Sequence, residues 1–244
     1  MQKIKIVLPA YNEELSLPPL LKRILGVKEN FNLNLEILVV NDGSKDNTVG
    51  VAKNFNVEVL DLQPNRGLAE AIREGLFAAI ANLEDEDIII VMDADNTHTP
   101  GLVMRMIRHI AEGCDIVIAS RYQKGARVIG LSWFRKMLSF GASILFRILV
   151  GISGVKDYTC GYRAYRVEIL KKAYQLYKED FIKQTGFGCM IEILLRLQKF
   201  NPVIEEVPLI LRYDFKEGES KMKIFRTIKQ TLKLVFNYRF TNKY

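Results

Sequence analysis

The sequence predicts an α/β fold built on a mostly parallel sheet, and two observations support this prediction. Short apolar runs rich in β-branched residues, such as residues 88–90, show no polar alternation, which is typical of strands buried on both faces. These runs alternate with stretches of helical periodicity, a pattern that favours βαβ units. Because 49% of the 244 residues are hydrophobic, the chain can bury a sizeable core. We therefore expect one domain over residues 1–244.

The individual elements follow from local signals. Strands are predicted over residues 4–9, 36–40, 57–60, 88–93 and 115–120, and helices over residues 16–25, 67–83 and 100–112. Pro9 ends the first strand. Pro18 and Pro19 occupy the first turn of the first helix, where a missing N–H costs no hydrogen bond. Residues 41–44 are turn formers and are predicted to leave the second strand as a loop.

Carboxylates occur where three of the predicted strands end. Glu13 and Asp42 follow the first two strands, and Asp93 and Asp95 come at the end of the strand over residues 88–93. Ligands of open parallel sheets bind beyond the carboxyl ends of the strands, and hard oxygen ligands suit Mg²⁺ or Mn²⁺. Carboxylates repel phosphates, so they fit beside a nucleotide only if they hold its base, its ribose or a bridging metal. The alternative is that Asp93 and Asp95 only cap the helix that begins near Pro100.

Composition and motifs disfavour several classes of protein. No Gly-x-Gly-x-x-Gly follows the first strand and no Gly-x-x-x-x-Gly-Lys-Ser/Thr occurs, which argues against a dinucleotide enzyme and a P-loop ATPase. The three cysteines form no Cys-x-x-Cys or Cys/His metal pattern, and no signal peptide is visible, so we expect a cytoplasmic setting. Six of the seven net positive charges fall between Arg212 and Tyr244, which predicts an anionic partner. No motif supports nucleic-acid binding.

Several short motifs occur in an order that resembles a known family. They are Pro9-Ala10-Tyr11-Asn12-Glu13, Asn41-Asp42-Gly43-Ser44, Asn65-Arg66-Gly67, Asp93-Ala94-Asp95, Ser120-Arg121-Tyr122, Asp157-Tyr158-Thr159-Cys160-Gly161-Tyr162-Arg163 and Gly218-Glu219-Ser220-Lys221. Together they resemble the family 2 glycosyltransferases and, within these, the dolichyl- or polyprenyl-phosphate sugar synthases. The resemblance implies the nucleotide-sugar-binding glycosyltransferase A-type fold, with a Rossmann-like sheet flanked by helices and an Asp-x-Asp metal motif.

The resemblance also implies roles for individual residues. The nucleotide sugar would be held by Pro9, Tyr11, Glu13, Val40, Asp42, Asp93 and Ala94. Asp93 and Asp95 would bind Mg²⁺ or Mn²⁺, with Thr97 at the position where related synthases have a glutamine ligand. The acceptor phosphate would be contacted by Arg121, Arg135, Arg212, Lys216 and Lys221. Asp95 and Arg121 would be the catalytic residues, because the metal and a fixed cation stabilise charge on the departing diphosphate.

The expected reaction is metal-dependent transfer of a hexose, with inversion, from GDP-mannose or UDP-glucose to a polyprenyl or dolichyl phosphate. A lipid phosphate is already an anion near pH 7, whereas an alcohol acceptor would require a carboxylate base such as Asp157 or Glu192. We expect Glu192 to lie on a helix surface and His98, His109 and Cys160 to have no special role, with contact between His98 and the loop of the Asp pair as the alternative for that residue. The alternatives are transfer to a soluble or protein-bound alcohol, and a non-catalytic subunit that binds nucleotide sugar or membrane.

Two amphipathic segments predict contact with a membrane surface. Residues 132–150 and 221–240 each place large apolar side chains at helical spacing, with basic residues among or opposite them. Neither segment has the roughly 20 uncharged apolar residues of a spanning helix. We therefore expect a peripheral protein on the inner face of the membrane. Packing of these helices on the domain core, or in a homodimer, is the alternative.

Overall fold

The computed structural model describes residues 2–217, whose strands form a seven-stranded sheet and a separate two-stranded sheet. The strands are β1 (Ile4–Ala10), β2 (Leu35–Asp42), β3 (Glu58–Leu62), β4 (Ile88–Val91), β5 (Ile116–Ser120), β6 (Arg127–Ile129), β7 (Arg163–Arg166), β8 (Ile204–Pro208) and β9 (Ile210–Arg212). The α-helices are α1 (Leu17–Asn30), α2 (Thr48–Asn54), α3 (Leu68–Ile80), α4 (Val103–Ala111), α5 (Trp133–Val150), α6 (Val167–Tyr177) and α7 (Gly188–Leu197).

The large sheet has the strand order β3-β2-β1-β4-β7-β5-β8. Its neighbouring strands are parallel, as predicted, except at β7, which runs antiparallel to β4 and to β5. In this register Arg163 pairs with Val91 of β4 and with Ile118 of β5. The residues that precede β7 therefore arrive at the edge of the sheet where β4 and β5 end.

Several predicted boundaries are wrong by a few residues. Helix α1 continues to Asn30, five residues beyond its predicted end, and β2 continues through Asn41 and Asp42, which were expected to form a loop. The segment predicted as one helix begins with a 3-10 turn at Pro100–Leu102 and continues as α4. The predicted helix over residues 221–240 lies outside the described residues.

Helix α5 occupies the segment that the sequence predicts to be an amphipathic interface helix. It does not pack on the domain core along its length, since only Ser143 and Phe146 are buried. Its exposed apolar side chains include Trp133 at 73% and Ile148 at 72% relative exposure. In the part of the chain that the structure describes, no helix is both long and apolar enough to cross a bilayer.

The layer of helices lies close to the sheet where α3 crosses β1 and β2. Gly75 of α3 makes this approach possible, because a Cβ atom there would lie 2.7 Å from a methyl group of Val40 and 2.7 Å from one of Val7. Both valines are fully buried, so neither can move away into solvent. The absence of a side chain at Gly75 thus sets the distance between helix and sheet.

We expect Gly75→Ala to lower the free energy of unfolding by about 1–3 kcal/mol, because the added methyl group overpacks this contact. Gly26→Ala is the matched control, since Gly26 lies in α1 with no other atom within 4 Å of an added Cβ. In Gly26→Ala the alanine reduces the backbone freedom of the unfolded chain, which should raise the free energy of unfolding by about 0.5–1 kcal/mol. Urea denaturation monitored by circular dichroism measures both values, and shifts of the same sign would contradict the packing argument.

Candidate active site

The predicted nucleotide-binding residues meet at the carboxyl edge of the sheet. Pro9 of β1 and Val40 of β2 are paired in the parallel register, which places them side by side at the ends of their strands. Tyr11 and Glu13 follow β1 and are partly exposed, and the Glu13 backbone N–H donates to Thr48 Oγ1 at 2.8 Å. The structure therefore brings this predicted group together, and its binding role stays a prediction.

Asp42, at the end of β2, uses its carboxylate to hold a neighbouring loop. It accepts hydrogen bonds from the backbone N–H groups of Arg66 at 2.7 Å and Gly67 at 2.8 Å, and from Asn65 Nδ2 at 2.9 Å. These contacts fix the loop that leads into α3. The motif Asn65-Arg66-Gly67 thus belongs to the site through Asp42, a link that separation along the chain hides from sequence analysis.

The loop after β4 carries Asp93 and Asp95 in a fixed arrangement. Asp95 Oδ1 accepts from the Thr97 backbone N–H at 3.1 Å and from Thr97 Oγ1 at 2.7 Å. The loop is tied to β9 because the Arg212 backbone N–H donates to the Thr97 carbonyl oxygen at 2.9 Å. Arg23 of α1 supports it from the other side through Asn96 Oδ1 at 2.7 Å. Thr97 therefore orients Asp95, and its predicted contact with a metal stays a prediction.

Asp93 differs from its neighbours because its carboxylate accepts no hydrogen bond from the described residues. The side chain is 30% exposed, and a Cβ atom at Gly161 would lie 3.1 Å from Asp93 Oδ1, so a larger residue there would press against the carboxylate. His98 is buried beneath it and stacks on Tyr162, with ring centroids 4.9 Å apart. His98 Nδ1 accepts from the Asp93 backbone N–H at 3.2 Å, and Nε2 lies 3.8 Å from Asp93 Oδ2. His98 therefore contacts the loop that carries Asp93, which is the alternative that the sequence leaves open for it.

Lys216 supplies the cation nearest to Asp95. Its Nζ lies 2.5 Å from Asp95 Oδ2, on the oxygen that Thr97 does not use. Both side chains are largely shielded from water, with 18% and 14% relative exposure. The residue expected to contact an acceptor phosphate thus neutralises one of the two predicted metal ligands.

The surroundings shift the pKa values of the two aspartates in opposite directions. Burial raises the pKa of Asp93, and the neighbouring Asp95 carboxylate adds to the rise. Burial also acts to raise the pKa of Asp95, but the Lys216 ammonium, His98 and the hydrogen bond from Thr97 together hold that pKa below its usual value. A divalent cation bound to both carboxylates would favour the ionised form of each. Asp93, whose oxygens receive no donor from the described residues, is chemically suited to bind Mg²⁺ or Mn²⁺, and at Asp95 the ion would replace the Lys216 ammonium.

Arg121, directly after β5, is held by a fully buried carboxylate. Its Nε and Nη2 donate to the two oxygens of Asp157 at 2.8 and 2.7 Å, and Nη2 also donates to Thr159 Oγ1 at 2.7 Å. Burial acts to raise the pKa of Asp157, but the Arg121 guanidinium outweighs it and the pKa lies below its usual value. Arg121 therefore presents a fixed positive charge at the rim.

Glu192 is fully buried in α7, so the expectation of a surface position is wrong. Its Oε2 accepts from the backbone N–H groups of Lys183 at 2.8 Å and Gln184 at 2.7 Å, and its Oε1 accepts from Arg196 at 3.1 Å. Lys183 and Gln184 line one wall of a cleft of about 320 Å³, whose other wall contains Arg66 and Gly67. Glu192 thus shapes the cleft next to the Asp42 loop.

The remaining residues predicted to contact the acceptor do not lie together at the rim. Arg212 pairs with Asp214 at 2.7 Å and lies over the Phe215 ring at 3.8 Å. Arg135 is exposed near the start of α5. Lys221 lies outside the described residues. The structure therefore brings only Arg121 and Lys216 of this group against the acidic rim.

Several solved structures of one synthase share this architecture. Glucosyl-3-phosphoglycerate synthase from Mycobacterium tuberculosis, in complex with Mn²⁺, UDP and glucosyl-3-phosphoglycerate, has a TM-score of 0.69 at 21% identity, covering 98% of this chain and 80% of that one. The same synthase in complex with Mg²⁺ and UDP has a TM-score of 0.68 at 20% identity, covering 98% and 79%. The fold is therefore the glycosyltransferase A-type fold, as the resemblance implies.

The amino-acid sequence identifies the family. A model of glycosyl transferase family 2 matches residues 5–173. The chain is 33% identical over 241 residues to a dolichol-phosphate mannosyltransferase of Pyrococcus furiosus, covering 96% of this chain and 64% of that relative's length. It is 32% identical over 226 residues to an undecaprenyl-phosphate mannosyltransferase of Micrococcus luteus, covering 90% and 87%. The chain belongs to glycosyl transferase family 2.

We expect Arg121→Gln to lower the free energy of unfolding by about 3–5 kcal/mol at pH 7, because it leaves the Asp157 carboxylate buried without its cation. In the native protein the lowered pKa of Asp157 stabilises the fold above the unfolded-state pKa, and this stabilisation is lost as pH falls through the folded-state pKa. In the variant that pKa rises, so Asp157 takes up a proton earlier and the difference from the native protein shrinks towards pH 4.

Urea denaturation at several pH values measures this difference. Arg108→Gln is the control, because Arg108 forms an exposed pair with Glu112 at 2.8 Å and its loss should leave the midpoint almost unchanged. A destabilisation of Arg121→Gln that stays constant from pH 7 to pH 4 would contradict the buried-charge argument.

Proposed function

We propose that the protein transfers a hexose from a nucleotide sugar to the phosphate of a polyprenyl lipid at a membrane surface. Family membership supports transfer from an activated sugar. The relatives from Pyrococcus furiosus and Micrococcus luteus are named for dolichol-phosphate and undecaprenyl-phosphate mannosyl transfer, which favours a lipid phosphate as acceptor and mannose as the sugar. GDP-mannose is therefore the first donor to test, and UDP-glucose is the second.

The observation that carries this proposal is that protein donors already occupy both buried carboxylates that could act as a base. An alcohol acceptor needs a base to remove its proton, and Asp157 and Glu192 are the candidates that the sequence offers. Asp157 is bound by Arg121, and Glu192 is bound by two backbone N–H groups and Arg196. Neither carboxylate is free to accept a proton from a substrate. A lipid phosphate needs no such base because it is already ionised near pH 7.

On the donor side, the residues at the ends of β1 and β2 would hold the nucleoside, and Asp93 and Asp95 would hold Mg²⁺ or Mn²⁺. The bound ion would neutralise charge on the diphosphate as the bond to the sugar breaks. Arg121 adds a fixed positive charge that loses little freedom when a phosphate approaches, because Asp157 already determines its direction. We infer one displacement with inversion, in which the acceptor phosphate oxygen attacks the anomeric carbon directly.

On the acceptor side, α5 would lie in the membrane interface. Trp133, Phe134 and Ile148 are each more than 60% exposed, and the exposed basic residue Arg135 lies among them. The helix is also joined to the catalytic rim, because Tyr122 Oη donates to the Ser139 carbonyl oxygen at 2.8 Å and Arg121 lies over the Tyr122 ring at 5.4 Å. A lipid held by α5 would therefore present its phosphate near Arg121. Position on the inner face of the membrane stays a prediction.

The first test is transfer of label from GDP-mannose to polyprenyl phosphate in the presence of Mn²⁺, measured by extraction into organic solvent. We expect a lipid-linked product, and Asp95→Asn should reduce its formation by roughly 100-fold or more, because it weakens charge stabilisation of the leaving diphosphate. If neither GDP-mannose nor UDP-glucose labels the lipid, the proposed acceptor is wrong.

Asp85→Asn is the matched control for this variant. Asp85 also pairs with a lysine, Lys171, at 2.8 Å. Its side chain is 58% exposed and lies before the start of β4, at the edge of the sheet opposite the rim. It should retain native activity, whereas equal activity of Asp95→Asn and the native protein would remove Asp95 from the mechanism.

We expect the double variant Trp133→Ser/Phe134→Ser to bind anionic vesicles at least tenfold more weakly than the native protein. The reason is that each large apolar side chain contributes roughly 1.5–3 kcal/mol when it leaves water. Co-sedimentation with vesicles measures this change. Leu15→Ser/Phe31→Ser removes two comparably exposed apolar side chains from another surface and should bind as the native protein does. Equal loss in both double variants would show that α5 is not the docking surface.

A further inference from the structure

Three side chains of different chemistry converge at the edge of the sheet opposite the catalytic rim. His109 lies in the last turn of α4, Cys114 lies just before β5, and Glu205 lies near the start of β8. An imidazole nitrogen, the thiol sulfur and a carboxylate oxygen lie within 4.8 Å of one another. His109 Nδ1 is 2.5 Å from Glu205 Oε2, although these residues are 96 positions apart in the chain.

The backbone around this group holds the three side chains in place. The Cys114 N–H donates to the His109 carbonyl oxygen at 3.0 Å, across a turn in which Gly113 has a φ of 113°. Asp115 is tied to the segment before β8, since its N–H donates to the Val203 carbonyl oxygen at 2.9 Å and its Oδ2 accepts from the Val203 N–H at 2.9 Å. The turn after α4 and the start of β8 therefore form one rigid unit, and a ligand that binds there needs little rearrangement.

The surroundings of the thiol are negatively charged. Burial raises the pKa of Cys114 to about 11, and the carboxylates of Glu205, Asp115 and Glu112 add to the rise. Arg166 lies 3.6 Å from the Asp115 carboxylate and Arg108 pairs with Glu112 at 2.8 Å, so these two charges are partly offset, whereas Glu205 has only His109 beside it. A bound divalent cation would offset this concentration of negative charge and bind the thiol as a thiolate.

The three types of ligand atom favour some metal ions over others. Nitrogen, sulfur and oxygen together are a ligand set typical of Zn²⁺, whereas Mg²⁺ and Mn²⁺ prefer oxygen. His109 is 27% exposed and Glu205 is 50% exposed at the side chain, so an ion can enter from solvent and water can complete a tetrahedral shell. The site is thus chemically distinct from Asp93 and Asp95.

We propose that His109, Cys114 and Glu205 bind Zn²⁺ with one water as the fourth ligand, and that this ion fastens α4 to the edge strand β8. The proposal assigns no part in sugar transfer to this metal. It stands or falls independently of the proposed function, because its test contains no nucleotide sugar and no lipid.

The test is titration of the chelator-treated full-length protein with Co²⁺, a spectroscopic substitute for Zn²⁺. We expect one equivalent to produce a near-ultraviolet thiolate-to-cobalt charge-transfer band with the visible bands of four-coordinate cobalt. Zn²⁺ should abolish these bands and excess Mg²⁺ should not. Cys114→Ser should lose the charge-transfer band, while His109→Gln and Glu205→Gln should each weaken Co²⁺ binding at least tenfold.

Two controls assign the signal to this site. Glu112→Gln changes an adjacent carboxylate outside the proposed ligand set and should keep the native band. Asp95→Asn should keep it as well, which separates this ion from a metal at the catalytic rim. Zn²⁺ should raise the Tm of the native protein and leave that of Cys114→Ser unchanged. The proposal is wrong if the native protein gives no charge-transfer band, or if the band persists in Cys114→Ser, provided that both proteins have the same metal-free circular dichroism.

Discussion

The buried ion pair of Asp157 and Arg121 is the interaction on which the rim near β5 and β7 depends. Besides the guanidinium, the Asp157 carboxylate accepts from the backbone N–H groups of Arg121, Thr159 and Cys160. These bonds join the end of β5 to the segment that enters β7, so one carboxylate fixes two chain segments and the direction of a cation. A buried charge is tolerated only when its donors are supplied in this way. The same donors give the rim a preorganised positive group.

The acidic side chains around the rim are distinguished by the donors they receive. Asp42 holds the loop before α3, Glu192 holds the loop before α7, and Asp157 holds Arg121. Asp93 accepts no hydrogen bond from residues 2–217, and Asp95 shares its charge with Lys216. Carboxylates whose oxygens are filled by protein donors act as structural anchors. Asp93, whose charge is met by no such donor, is the carboxylate suited to an incoming cation, and at Asp95 that cation would take the place of the Lys216 ammonium.

Local sequence signals predict the parts of this molecule that depend on neighbouring residues in the chain. Strand β4 is an unbroken apolar run, β1 and β2 are apolar runs interrupted near their starts by only one charged residue each, and the Asp-x-Asp motif is compact, so these features can be predicted from the sequence alone. Strand β7 is not predicted because its sequence, Arg-Ala-Tyr-Arg, contains two charged residues, and its burial comes from β4 and β5 on either side.

The contacts made by isolated charges cannot be predicted in the same way. Glu192 lies among apolar residues, and a charged residue in that setting is expected to face water. Its partners include the backbone N–H groups of Lys183 and Gln184, which belong to the loop before α7. His98 is similar, because its contact with the Asp93 backbone depends on how the loop folds back rather than on residue type. The convergence of His109 and Glu205 likewise exists only in three dimensions.

The reversed direction of β7 has a consequence for how such proteins diversify. β5 and β7 are adjacent in the sheet, yet the segment that connects them contains β6 and the whole of α5. The two ends of this connection are clamped together by Asp157 and Arg121, and β6 within it is paired with β9, so α5 is the part whose length and composition can change with the least effect on strand register. Replacement of α5 alone would therefore alter the proposed acceptor-facing surface while strands β1, β2 and β4 keep their register.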